Sequence, residues 1–167
     1  MNVEISIENP SWEEIENLSE ITEKCIESVF SELGESSENK EVCVLFTNDD
    51  EVRCLNKTFR GKDKPTNVLS FPAQQDDWNY DEYDDFDEDL RNQEKTSILG
   101  SIAVAYETLE KEASEQKKKI TDHLQHLLIH SMLHLFGYDH IEDKEADEME
   151  SLEIKILEKL NISNPYE

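Results

Sequence analysis

The sequence predicts one α+β domain spanning 1–167, a mixed sheet of about four strands covered by helices, with a histidine-bearing helix near the C-terminus. Three observations predict it. A length of 167 residues suits a single hydrophobic core. Apolar residues recur every second position in short stretches and every third or fourth in longer ones. The resulting order, β-α-β-α-β-β-α-α-α, combines a few strands with helices enough to cover them.

The elements follow in turn. Val3, Ile5 and Ile7 alternate with polar residues, the pattern of a half-buried strand. In "NPSWEEIENLSEITEKCIESVFSEL", residues 9–33, a proline and a serine cap precede acidic residues, and Ile15, Leu18, Ile21, Cys25, Val29 and Leu33 recur with helical spacing. One helix is expected, ended by Gly34. "EVCVLFTND" is a strand, and "DDEVRCLNKTF" a helix capped by Asn48 or Asp49. "TNVLSFP" is a strand stopped by Pro72, and "SILGSIAVAY" a fourth. "ETLEKEASEQKKK" is a polar helix whose lysines, 117–119, complement the negative end of its dipole. "TDHLQHLLIHSMLHLF" is an apolar helix capped by Thr121 or Asp122 and stopped at Gly137. The final helix carries Met149, Leu152, Ile156 and Leu160 on one face.

Composition narrows the function. There are 41 acidic and 16 basic residues, a net charge of -25, which repels polyanions on average and argues against a general nucleic-acid coat. A small basic site is not excluded. The start, "MNVEISIENP", lacks the basic and apolar regions of a secretory leader, and no apolar run suits a membrane span. Cys25, Cys43 and Cys54 are odd in number and lack CxxC spacing, so reduced thiols and a cytoplasmic location are expected. Residues 74–95 hold nine acids between Asp76 and Asp89, without the glycine and glutamate of a calcium-binding EF-hand. A solvated, mobile insertion is expected there, with a nucleic-acid mimic or a loop for a basic partner as the alternative.

The strongest chemical signal is "HSMLHLFGYDH", residues 130–140, which holds three of the five histidines. His130 and His134 lie four apart and project from the same side of a helix. Adding His126 gives a straight row of ~12 Å at 1.5 Å per residue, too long for three bonds of ~2.0 to 2.1 Å to one zinc. Gly137 allows the chain to turn back, so His130, His134 and His140 form the better set of ligands. His126 and Asp139 are candidates for orienting them, and His123, like His126, belongs either on the helix surface or behind the ligands. Three protein ligands on one zinc ion leave a position for water, whose pKa falls to about 7. An HExxH protease needs a glutamate after the first histidine; Ser131 stands there, which removes that reading.

Three stretches then carry a resemblance. "HLLIHSMLHLFGYDH", "LNKTFRGKDKPTNVLSFP" and "ILGSIAVA" are similar to hallmark segments of the YbeY family of bacterial endoribonucleases, over roughly residues 40 to 160. The resemblance implies a zinc-dependent, single-strand-directed endoribonuclease in ribosomal RNA maturation (16S 3'-end processing) and ribosome quality control. It implies zinc on His130, His134 and His140, catalytic roles for Arg60 and His134, and ribosomal RNA with small-subunit ribosomal proteins as partners; no DNA or membrane partner is expected. Lys57, Arg60, Lys62 and Lys64 form a basic patch suited to RNA phosphates. The sequence departs from the family pattern at Asn67 and Ser101, where aspartates are usual, and at Ser131, where glycine is. The rivals are a non-catalytic, zinc-containing ribosome-assembly factor and a zinc hydrolase of a small substrate.

Overall fold

Four strands form one sheet in the order β1-β2-β4-β3: β1 (Asn2–Ile7), β2 (Lys40–Thr47), β3 (Val68–Pro72) and β4 (Ser97–Ala105). The computed structural model describes residues 2–73, 97–138 and 142–166; the acidic stretch 74–95 lies outside the described residues. β1, β2 and β4 run parallel, and β3 lies antiparallel to β4 at the edge. Five α-helices occur among the described residues: α1 (Leu18–Leu33), α2 (Asp49–Arg60), α3 (Tyr106–Glu115), α4 (Ile120–Leu135) and α5 (Asp143–Lys159). The α+β class and the four-stranded mixed sheet are as the sequence predicts.

Period-two alternation divides the sheet into two faces. Val42, Val44, Phe46, Ile102 and Val104 enter the main core with Ile26 and Val29 of α1, Leu124, Leu128 and Met132 of α4, and Ile156 of α5. Leu69, Ala103 and Ala105 form a smaller core with Val52 of α2. Helix α4 packs against α1, α3, α5, β3 and β4. Its apolar residues are buried on more than one side, so the histidines it carries are held on a rigid element. None of the described helices is long and apolar enough to cross a membrane.

The expected helix over 9–33 is two elements. Pro10–Glu14 is a 3₁₀ turn capped by Asn9, whose side chain accepts from the Ser11 amide at 3.2 Å. The chain bends at Ile15 and passes through Asn17 at φ 58 before α1 begins. Trp12 accounts for the break: its indole N–H donates to Thr47 O at 2.9 Å, and its ring packs 4.7 Å from Phe46 and 5.1 Å from Tyr106. Asparagine tolerates the left-handed conformation better than most residues. Of the two alternatives for α2, Asn48 is the cap, accepting from the Glu51 amide at 2.8 Å. Helix α4 starts earlier than expected, with Lys119 at the cap position and no side-chain cap. The amide of His123 already bonds Lys119 O at 3.1 Å, which brings Thr121 and Asp122 into the first turn.

Gly100 marks where β4 meets β3 and α4. A Cβ there would stand 2.5 Å from Phe71 O and 2.6 Å from Leu135 Cδ2. The Gly100→Ala variant is therefore expected to lose about 1–3 kcal/mol, the usual cost of overpacking. Urea unfolding of the two proteins checks this; an unchanged midpoint would contradict the close approach.

Candidate metal centre and its cleft

His126, His130 and His134 follow at intervals of four along α4, yet their ring nitrogens do different things. His134 Nδ1 lies 3.0 Å from the carbonyl oxygen of Tyr138. A carbonyl only accepts, so Nδ1 carries the proton and Nε2 a lone pair. His130 Nδ1 hydrogen-bonds a carboxylate oxygen, Glu153 Oε1, and the same assignment follows. His126 is turned the other way: its Nε2 meets Glu153 Oε2 at 3.1 Å. Its proton belongs on Nε2, so that nitrogen already serves Glu153.

The backbone supplies the acceptor for His134 through the end of α4. Gly137, at φ 97, takes a conformation that suits glycine, and the Tyr138 amide returns to Leu133 O at 3.0 Å. This closure brings the Tyr138 carbonyl under the His134 ring. The carboxylate for His130 comes from α5, where Glu153 is fully buried. A charge in that position is costly unless donors surround it. Three do: His126, His130 and the hydroxyl of Tyr166. Burial alone drives the Glu153 carboxyl upward, but hydrogen bonds from His126 and His130 outweigh it and hold the pKa at about 2. Burial, followed by the bond to Glu153, pushes the Tyr166 phenol upward, so it remains a proton donor.

The donor set fits a metal ion. The Nε2 atoms of His130 and His134 face each other at 3.1 Å, with ring centroids 4.6 Å apart. Two lone pairs pointed together repel, and a shared cation reverses the sign of that interaction. Imidazole nitrogens bound tetrahedrally to one zinc at ~2.0–2.1 Å stand about 3.3 Å apart, close to the separation here. In each ring the remote nitrogen donates to an oxygen, as is usual behind metal-binding histidines. His140 and Asp139, also expected at this site, lie outside the described residues.

A cleft of about 750 Å³ opens over this pair, and His123, His126, His130, His134 and Arg60 all line it. Arg60, the last residue of α2, donates from Nη2 to Ser70 O at 2.5 Å and sits 5.7 Å from the Phe71 ring centre. Edge strand β3 thus holds the guanidinium beside the histidines. Lys57, Lys62 and Lys64 are exposed and do not line the cleft; Lys118 does. His123, expected on the helix surface or behind the ligands, is only 4% exposed, and burial lowers its pKa despite its bond to Glu112. That Glu112 oxygen also accepts from Asn67 Nδ2 at 2.9 Å, so the amide at 67 supplies a donor where a carboxylate would repel.

Ser131 is wholly buried in α4 and does not line the cleft. Ser101 lies across the sheet, in a groove with Cys43 and Phe71, remote from the histidine cleft. In that region Glu4, Glu41 and Cys43 bring ligand-type atoms within 4.8 Å of one another. Strand register alone accounts for this, because Glu4 pairs with Cys43 between β1 and β2. Sequence reasoning missed the part played by Glu153. Its signal was an acid on the apolar stripe of α5, four residues after Met149 and three before Ile156.

Fold and cleft together define a class: a single α+β domain whose central helix presents paired imidazoles beside an arginine. Comparison with known proteins makes the assignment specific. The family model for endoribonuclease YbeY matches residues 5–161. A protein named endoribonuclease YbeY from Sinorhizobium medicae is 40% identical over 99% of this chain and 95% of its own length. Another of that name, from Bradyrhizobium diazoefficiens, is 40% identical over 98% of this chain and 84% of its own. The solution structure of TM1509 from Thermotoga maritima superposes with a TM-score of 0.54 at 27% identity, covering 95% of this chain and 91% of that one. The chain belongs to the endoribonuclease YbeY family.

Replacing the buried carboxylate with an amide tests the geometry. Glu153→Gln is expected to weaken zinc binding about 10- to 100-fold, the usual effect of removing an acceptor behind a ligating histidine. Cys43→Ser is expected to leave it unchanged. Competition with a chromophoric chelator reads both; the reverse order would place the ion at the Glu4–Glu41–Cys43 cluster.

Proposed function

We propose that this chain is a zinc-dependent endoribonuclease acting on single-stranded RNA in ribosomal RNA maturation, including 16S 3'-end processing and ribosome quality control. The observation that carries the reading is the convergence of His130 Nε2 and His134 Nε2 in a cleft that also holds Arg60. His130 and His134, with His140, are the residues to hold one zinc ion. Bound there, zinc would supply a Lewis acid for a phosphate oxygen and a water acidic enough to ionise near neutrality.

The chain's own groups supply the rest. Arg60 has spent one N–H on Ser70 O and retains others for a phosphate. Its planar fork pairs with two phosphate oxygens and offsets the charge that grows as the phosphorus becomes five-coordinate. Glu153 and the Tyr138 carbonyl keep Nδ1 protonated on His130 and His134, so Nε2 faces the cleft in both. His126 lines the cleft but directs its Nε2 to Glu153, and so helps to orient that carboxylate. Membership of an endoribonuclease family supports RNA as the substrate class over a small molecule.

The test uses metal-loaded protein, an rRNA precursor and two variants. Wild type is expected to cleave the single-stranded region; His134→Ala loses both metal and cleavage. Arg60→Ala retains the metal and cleaves about 10²–10³-fold more slowly, the cost of losing a donor that stabilises transition-state charge. Intact precursor after incubation with loaded wild type, together with retained RNA binding, would establish a non-catalytic assembly factor instead.

A further inference from the structure

Cations are scarce in this chain, and three stand together at Lys117–Lys119. The fold brings this run, 57 positions beyond Arg60 at its first residue, to the histidine cleft: Lys118 lines it beside His123. A recess of about 370 Å³ continues the cleft at this end, lined by Lys117, Lys118, Lys119, Asp122, Ser163 and Asn164. The two spaces share Lys118, His123, His126 and Pro165, so they form one continuous surface.

Among the described residues the charge there is not spent on ion pairs. Elsewhere Arg53 pairs with Asp63, and Lys155 and Lys159 both pair with Glu32. Among the described residues no carboxylate lies in ion-pair contact with Lys117, Lys118 or Lys119. Asp122 is the only acid among the described residues that line the recess, against three ammonium groups. Lys117 holds φ 55, a left-handed conformation that glycine adopts more readily, so the turn carries a charge where a smaller residue would relax it. Helix α4 begins beside the run without a side-chain cap, which adds the partial positive charge of its first amides.

We propose that the Lys117–Lys119 rim is a second phosphate subsite, binding the backbone of single-stranded RNA next to the nucleotide at the metal centre. A strand laid along the cleft then meets Arg60 near β3 and the lysines at the connection between α3 and α4. Lys118, which lines both spaces, is the central contact. The proposal rests on the endoribonuclease reading, and binding without cleavage separates the two.

The measurement is fluorescence anisotropy of a labelled single-stranded oligoribonucleotide with full-length protein in chelator, over a series of salt concentrations. Lys118→Gln is expected to weaken binding about 3- to 10-fold. The Lys117→Gln/Lys118→Gln/Lys119→Gln variant should weaken it further and flatten the plot of log K against log salt by about 0.7 for each phosphate it no longer neutralises. The corresponding triple arginine variant should retain both affinity and slope, which distinguishes charge from loop structure. Unchanged affinity and slope in the triple glutamine variant would overturn the subsite while leaving the endoribonuclease reading intact. Failure of wild type to bind the RNA in chelator would also overturn the subsite, whereas the endoribonuclease reading falls only if metal-loaded wild type leaves the rRNA precursor intact.

Discussion

A carboxylate with no solvent exposure must be surrounded by donors, and the functional half of this molecule is arranged around one. Glu153 accepts from His130 and His126 on α4 and from Tyr166 in the segment after α5. Leaving such a charge without partners costs several kcal/mol, commonly ~3–5 when one partner of a buried ion pair is removed. The three contacts therefore fix the register of α5 against α4 and fold the chain after α5 back to the cleft. They also set the orientation of His130, and with it the convergence with His134. Packing of Met149, Ile156 and Leu157 in the main core keeps α5 in place around the charge.

The site's other half depends on an edge. Among the described strands β3 pairs only with β4, and Arg60 donates to the carbonyl of Ser70 on it. The arrangement resolves the conflict between a net charge of -25 and a polyanionic substrate. Screening limits the reach of surface charge to ~8–10 Å near physiological salt, so a local concentration of cations governs capture more than the total does. Steering from afar is sacrificed, whereas recognition inside the cleft is not.

Much of this was legible in the sequence. The period-two and three-to-four patterns placed four strands and the histidine helix, and an i, i+4 pair already implied two rings on one side. A length argument separates His126 from its neighbours in the sequence, and in the structure its ring turns Nε2, not Nδ1, to an acceptor. Other features depend on partners distant in sequence. The break before α1 was hidden because Ile15 fits a helical face as well as the observed bend, while the cause, Trp12 on Thr47, lies 35 residues away. Lys57, Lys62 and Lys64 are neighbours of Arg60 along the chain, but Gly61 ends α2 and the chain turns; Lys118 reaches the cleft from another helix connection. Glu153 stood among many acids, and only its place on an apolar stripe set it apart.

Glu153 and the Tyr138 carbonyl hold His130 and His134 with Nδ1 protonated, which turns the two Nε2 atoms toward the point where a shared ion would sit. Long-range ¹⁵N–¹H NMR of the histidine side chains, recorded with one equivalent of zinc, measures this directly. Nδ1–H tautomers are predicted for His130 and His134, with zinc-shifted Nε2 resonances, and an Nε2–H tautomer for His126. Zinc on Nδ1 of either ligand, or Nε2 resonances that ignore zinc, would contradict it.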